Sequence, residues 1–408
     1  MKILLIHDTG TATGGAELQI LSLRQGLRDL GHDVRLFSSV ATPVEGSEIL
    51  AEYSCFGTNS LFQVISQTAN VSAYRQLQKI LREFKPDVVH VRMFLWQMSP
   101  LILPLLKKYP CIYQTAVYKA ICPSGTKMLP DGSTCQVQPG MACLSNKCLT
   151  NQTWILLMLQ RKLWLTWRDA IDVVVALSSA MKIQLEAGGI QPVEVIYNGV
   201  AIKSKSRSLC LIPTVVYAGR LVAEKGIDIL LRAFASVRMQ IPQAHLLIAG
   251  SGKEEKNLQA LSHQLNIDSA VEWLGYLPQV EMEQRFEGAW VQAVPSQWAE
   301  PFGNVTTEAM MRGTAVIASA VGAQSEIVVD GATGFLIDDY SNVNRWVSSL
   351  ISLLSNRELA QDMGKAGRDR ALAEFSEQQR NLKFVELYQR LRHIYNSSSS
   401  KLIASSQI

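Results

Sequence analysis

A chain of 408 residues is too long for one ordinary hydrophobic core, so two domains with a trailing element are expected. Its 48% hydrophobic and 18% charged residues exclude a disordered or fibrous chain. The net charge of +4 is too small to point to nucleic acid, and residues 1–200 carry all of it (18 Lys and Arg against 14 Asp and Glu, with 21 of each after residue 200), which suits an anionic substrate or membrane surface.

The opening "MKILLIHDTG" reads as a first buried strand rather than a secretion signal. No apolar run approaches the roughly eighteen residues that a spanning helix needs, so a cytoplasmic protein is expected, soluble or associated with the cytoplasmic face of a membrane. Ala16, Ile20, Leu23, Leu27 and Leu30 then step by four and three, one apolar face of a helix that Gly31 would stop. "DVRLFSS", "PDVVHV", "CIYQTAV" and "DVVVALS" follow as further strands. The polar, basic stretch 198–214 reads as a linker. The rhythm then restarts with "VVYAG", "AHLLIAGSG", "VEWLGYL", "WVQAVPS", "AVIAS" and "GFLID", separated by helices near 227–239, 255–265, 280–288 and after Pro301. Helices near 357–374 and 376–394 close the chain, and 397–408 reads as a disordered tail. This alternation predicts two α/β domains with doubly wound parallel sheets, 1–197 and 198–375, with the helix 376–396 packing back on the first. Such sheets bind ligands at the carboxyl ends of their strands, and two domains facing across a cleft place the site there.

Three stretches carry the chemistry. In "EPFGNVTTEAM" a helix starting near Asn304 presents the N–H groups of Asn304, Val305 and Thr306, an anion site suited to a diphosphate, and Gly303 lets a ligand approach the backbone. Glu300 lies before that helix and Glu308 in its second turn, so the two carboxylates can grip different hydroxyls of one extended ligand. In "VVYAGRLVAEKGID" Arg220 and Lys225 follow a strand end, where two cations would steady a diphosphate leaving group. "GTATGGAELQ" sets Gly14 and Gly15 in a loop between the first strand and the first helix; its spacing is not that of a dinucleotide-binding fingerprint. His7 and His90 also fall near strand ends and read as structural.

The order "GGAE … YNGV … YAGRLVAEKGID … LLIAGSG … VEWLGYL … EPFGNVTTEAMMRGTAVIAS … GAQSEIVVDGATGFLI" resembles the retaining glycosyltransferases of family four, across nearly the whole chain and most clearly from about 195 to 340. The resemblance implies the GT-B fold and transfer of a sugar from a UDP-, GDP- or ADP-sugar to a sugar or lipid-linked acceptor, in polysaccharide, glycolipid or other glycoconjugate synthesis. It implies contacts from Arg220 and Lys225 to the diphosphate, from Glu308 to the ribose, and from Glu300 to the donor sugar. It gives Gly303, Asn304 and Val305 to sugar and phosphate, Gly14 and Gly15 to the facing loop, and Gly275–Tyr276 to the neighbourhood of the base. It implies no cofactor and no metal at the diphosphate. One departure stands out: where relatives carry a His-Asp or His-Glu pair six residues before Cys-Pro, this chain has Ala116 and Val117. That keeps open a non-catalytic nucleotide-sugar binder or partner subunit; within the enzyme class the alternative is a nucleotide-sugar epimerase of the same fold.

Two segments stand outside this scheme. Cys122, Cys135, Cys143 and Cys148, in an insertion at 122–148, lack the paired CxxC spacing of zinc ribbons, and buried free thiols, a structural zinc and disulfides all stay open. Residues 154–168 mix Trp and Leu with Arg161, Lys162 and Arg168; they suit a buried helix or one lying on a membrane.

Overall fold

A computed structural model describes residues 1–405 except 43, 45, 131 and 204–207, with side chains as far as residue 397. The chain divides into two compact units, Met1–Gly199 with Glu377–Ile408, and Val200–Ser376.

Unit 1 holds seven strands: β1 (Lys2–Thr9), β2 (Asp33–Ser39), β3 (Tyr53–Cys55), β4 (Val88–Val91), β5 (Cys111–Gln114), β6 (Val173–Ala176) and β7 (Val193–Val195). They pair in parallel in the order β3-β2-β1-β4-β5-β6-β7. Helices cover both faces, so Ile3, Leu4, Leu5 and Ile6 are all buried and the strand reads as one apolar run. The helix Gly15–Asp29 buries Ile20, Leu23 and Leu27 of the predicted stripe against that sheet, while Ala16 is half-buried and Leu30, just past the helix end, is exposed. The helix Val71–Phe84 is capped by the Asn70 side chain, which accepts from the Ala73 N–H, and ends at Lys85 in a left-handed conformation. The edge strands β3 and β7 have three residues each, too few for a period-two pattern to register in sequence.

The last helix, Glu377–Ser405, is part of unit 1. Phe384, Leu387, Tyr388 and Leu391 join the core of Ile3, Leu5 and Ile20. Buried Arg380 donates to Gln19 Oε1 at 2.9 Å and to Ser22 Oγ at 3.1 Å. The helix runs through the expected tail as far as Ser405, because a packed helix has already met the cost of nucleation and adding residues is cheap; 406–408 lie outside the described residues.

Unit 2 holds β8 (Thr214–Ala218), β9 (His245–Ala249), β10 (Val271–Gly275), β11 (Val291–Val294), β12 (Ala315–Ser319) and β13 (Gly334–Ile337), all parallel, in the order β10-β9-β8-β11-β12-β13. The helix Ile227–Gln240 buries Leu230, Leu231, Phe234 and Val237 in its core; so does the helix Val343–Leu354, through Trp346, Leu350 and Leu353. Part of the expected linker is packed instead. Leu209 is buried, and the Cys210 carbonyl accepts from Trp290 Nε1 at 2.9 Å and from Arg357 Nη1 at 3.0 Å; residues 204–207 of that stretch lie outside the described residues. In both sheets the strand order reverses once, between β1 and β4 and between β8 and β11. Those reversals are where a doubly wound sheet opens a crevice for a ligand.

Candidate functional site

In unit 2 the carboxyl ends of β8, β9 and β10 are joined backbone to backbone. The Leu221 N–H donates to Ser251 O at 2.9 Å, and the Gly250 N–H donates to Gly275 O at 2.7 Å. Gly250 has φ +139°, and a Cβ there would fall 1.8 Å from the Gly219 carbonyl oxygen, so only glycine fits. Arg220 projects from this turn with its side chain 65% exposed, 3.5 Å from Glu224.

The loop after β11 meets the loop after β8. The Gln297 N–H donates to Glu224 O at 2.9 Å. Lys225 Nζ then stands 2.7 Å from Glu300 Oε1 and 5.5 Å from the Trp298 ring centroid. Glu300 is buried, and Lys225 supplies the partner a desolvated carboxylate requires. The helix Asn304–Arg312 starts immediately beyond, with Gly303 at its N-cap and no side chain capping it. A helix start of this kind offers N–H groups and a positive dipole end to an anion. Thr306 Oγ1 donates to buried Gln324 Oε1 at 2.8 Å, and the Ala323 N–H donates to Glu300 O at 3.3 Å, so the loop after β12 braces both. Lys225, Glu300, Gly303, Asn304 and Val305 are thus brought together as the motif predicts.

Glu308 belongs to a second cluster. It is half-buried, and Gln279 Nε2 donates to its Oε1 at 3.3 Å. Burial pushes its carboxyl up to about 7; Glu283 adds to the rise, and Lys203 and Arg312 oppose it. Glu283 itself bridges Lys203 at 2.5 Å and Arg312 at 2.9 Å. No spacing pointed to Lys203, Gln279, Glu283 or Arg312: the first lies in the stretch read as linker and the others look like ordinary helix surface. Gly275 has φ +64° with nothing within 4 Å of its Cβ position, and Tyr276 beside it is 68% exposed. That face is open to a ligand.

In unit 1 the end of β1 is held by side chains. Gly14 caps the helix Gly15–Asp29 in an extended conformation, again without a side-chain cap, and Glu17 Oε1 accepts from Thr9 Oγ1 at 2.8 Å. His7 is buried, its imidazole pushed down to about 4 by burial, and its Nδ1 sits 3.2 Å from the Thr9 N–H and 2.8 Å from Thr9 O. Buried Asp8 accepts the N–H groups of Trp96, Gln97 and Met98 at 2.9, 2.8 and 3.0 Å, yet burial pushes it up to about 6. Lys119 is buried with its ammonium 4.0 Å from the Trp96 ring centroid; it donates to Pro123 O at 2.6 Å, and burial pushes it down to about 8. Asp8 and Lys119 match no motif, so sequence reasoning missed them. Ala116 and Val117 are half-buried beyond β5. His90 is structural: its Nδ1 lies 2.6 Å from the Tyr388 hydroxyl and its ring packs on Phe384.

The remaining segments differ from their simplest expectations. The four clustered cysteines are free and half-exposed rather than buried. Among the described residues no three His, Cys, Asp or Glu side chains stand as a metal-ligand set. The helix Asn151–Thr166 buries Leu157, Gln160 and Trp164 but exposes Ile155, Leu159 and Leu165 beside Lys162, so it is not covered on every face. Among the described residues no helix is long and apolar enough to cross a membrane.

Comparison with known proteins agrees with this layout. Residues 14–199 match the glycosyl transferase 4-like domain and residues 212–370 the glycosyl transferases group 1 domain. The D-inositol 3-phosphate glycosyltransferase of Segniliparus rotundus is 34% identical over 157 residues, which are 38% of this chain and 34% of that protein, so the similarity spans about a third of that relative's length. The sucrose-phosphate synthase of Thermosynechococcus elongatus superposes with a TM-score of 0.71 at 22% identity, over 96% of this chain and 99% of its own. Anabaena HepE, solved with UDP and glucose, gives 0.68 at 20% identity, over 96% of this chain and all (100%) of its own. The fold is GT-B, and with two domain matches that together take in most of its length, the chain belongs to the family-four type of glycosyltransferases.

Proposed function

We propose that this protein transfers a sugar from a nucleotide-diphosphate donor to an acceptor hydroxyl with retained anomeric configuration, in the synthesis of a polysaccharide, glycolipid or other glycoconjugate. The observation that carries the reading is the Lys225–Glu300 pair at 2.7 Å beside the uncapped start of the helix Asn304–Arg312. Lys225, exposed Arg220 and the helix start receive the diphosphate, so the chain supplies the positive charge from its own groups. Glu300 accepts from hydroxyls of the donor sugar and Glu308 from those of the ribose, with Gly275 and Tyr276 beside the base. The acceptor oxygen attacks the anomeric carbon on the face the diphosphate leaves. The carbon–oxygen bond to the β-phosphate breaks, its electron pair stays on the phosphate, and the acceptor's proton passes to a phosphate oxygen. This course needs no side chain at position 116, which is Ala here. The crystal of HepE with UDP and glucose supports a donor of this class.

The acceptor is proposed to be lipid-linked. Exposed Ile155, Leu159 and Leu165 flank Lys162 on one helix, and exposed Leu61, Phe62 and Ile65 lie on the short segment that packs against it. Sedimentation with anionic phosphatidylglycerol vesicles should carry the protein down, and L159E should weaken it; wild-type protein left in the supernatant refutes the membrane contact.

Calorimetry with a panel of UDP-, GDP- and ADP-sugars tests the reaction. One donor should bind, at least about tenfold more weakly to Glu308→Ala. Wild-type affinity should rise from about pH 6 to about pH 8, because the ionised Glu308 carboxylate is the acceptor of ribose hydroxyls. A folded protein that binds no donor refutes the proposal; donor binding without transfer across a broad acceptor panel selects the non-catalytic binder instead.

A further inference from the structure

The stretch from Thr126 to Thr150 is ordered without a core of its own. None of its described residues is buried. Among its described residues the regular structure is one bridge between Met128 and Thr134 and a single helical turn, Ala142–Ser145. A segment that buries so little cannot offset the entropy of fixing its chain by apolar contact alone, and small structures in that position use a covalent or metal staple.

Its cysteines converge where such a staple would sit. Cys122, Cys135, Cys143 and Cys148 all line one small pocket, with Pro123 and Leu149 among its apolar walls. The backbone delivers them there. A tight hairpin, Leu129 N–H to Ser133 O at 2.8 Å and Cys135 N–H to Lys127 O at 2.9 Å, brings Cys135 back toward Cys122. The turn after the short helix does the same for the other pair, the Cys143 carbonyl accepting from the Cys148 N–H at 3.0 Å and from the Leu149 N–H at 3.1 Å. All four thiols are free. Cys148 lies in the electrostatic field of the other three, Arg161 faces Cys143 and Cys122, and Lys119 faces Cys122.

We propose that these four cysteines bind a thiophilic metal centre that fixes the insertion, with either a single tetrathiolate ion such as zinc or an iron–sulfur cluster as its occupant. Each thiol gives up its proton on binding. Four thiolates around a divalent ion leave two negative charges in excess, and Arg161 and Lys119 stand where they offset them. Paired CxxC spacing is unnecessary, because hairpin and turn bring together in space what the sequence separates. As they stand, no three of the four thiols form a metal-ligand set. Closing the set requires the thiols to turn inward and the segment to move with them, and no core packing holds that segment back.

The test uses the full chain, purified under reducing and oxygen-free conditions. Elemental analysis and the visible spectrum should show about one centre per chain: zinc without colour, or iron with a broad absorption that dithionite bleaches. Stripped protein titrated with Co²⁺ should develop the intense near-ultraviolet thiolate band, saturating at about one equivalent. C135S and C148S should lose that band, and C210S, outside the insertion, should keep it. Should the serine variants fail to fold, the wild-type cobalt titration decides alone. No thiolate band, with all four thiols still open to a thiol reagent in the folded protein, overturns the proposal; so do two disulfides found by mass spectrometry in freshly isolated protein.

Discussion

The carboxyl ends of β8, β9 and β10 are joined by backbone, whereas the carboxyl end of β1 is held by side chains. In the first region the Gly219, Gly250 and Gly275 turns lie on one another through carbonyls and N–H groups, none of which titrates. In the second, Asp8 holds three successive N–H groups, Glu17 holds Thr9, and Lys119 lies on Trp96. These groups have been moved toward the physiological range: Asp8 up to about 6, Lys119 down to about 8. The difference teaches that the contacts of the backbone-built region carry no titrating group and leave no room for a side chain at Gly250, whereas the other region hangs on side chains that titrate.

The most severe way to break the first region is Gly250→Val. Its Cβ would meet the Gly219 oxygen at 1.8 Å, and φ +139° is strained for any β-branched residue. Backbone must move on both strands. The expected loss exceeds about 3 kcal/mol, read as a lower urea midpoint for unit 2. A change below about 1 kcal/mol would mean that the strand ends are not in mutual contact.

Asp8→Asn probes the second region and should cost less, about 1–3 kcal/mol. Its amide nitrogen would face a backbone N–H, donor against donor, wherever the carboxylate now accepts. The pH dependence separates this loss from simple repacking. Asp8 binds its proton more tightly folded than unfolded, so its contribution to stability is largest below about 4 and is lost as pH rises through about 6. The variant lacks that decline. The gap between wild type and variant should therefore be wide near pH 5 and narrower near pH 8. An equal gap at both would show that Asp8 does not titrate in this window.

The same contrast explains what could be read in advance. All six strands of unit 2 were visible as apolar runs, and the Gly, Arg, Lys and Glu positions around β8 and β11 keep fixed offsets from those runs, because a backbone turn ties geometry to spacing. Asp8 and Lys119 sit at the ends of different elements and meet only through the fold, as do Gln279, Glu283 and Lys203 around Glu308. Side-chain clusters of that kind leave no spacing to detect. Apolar periodicity failed where it was short or subordinate: in three-residue β3 and β7, and in the packed part of the stretch read as linker, where Leu209 is buried. For the helix Asn151–Thr166 the apolar residues were legible but their partner was not, and three of them face solvent.

Gly275→Ala gives the mildest change and the sharpest separation of fold from site. Like Gly250 it has positive φ, +64°, but nothing lies within 4 Å of its Cβ position. The conformational strain of a left-handed alanine is about 1 kcal/mol, and no steric clash adds to it. Stability should therefore fall only slightly. If the proposed base and ribose pass over this open face, the new methyl group meets the ligand instead of the protein, and donor affinity should fall about three- to tenfold in calorimetry while the urea midpoint barely moves. Gly250 would then be a glycine kept for the strands and Gly275 one kept for the ligand, although each stands at the carboxyl end of its strand. Unchanged donor affinity in Gly275→Ala would place the base elsewhere on unit 2 and leave Tyr276 without a part in binding it.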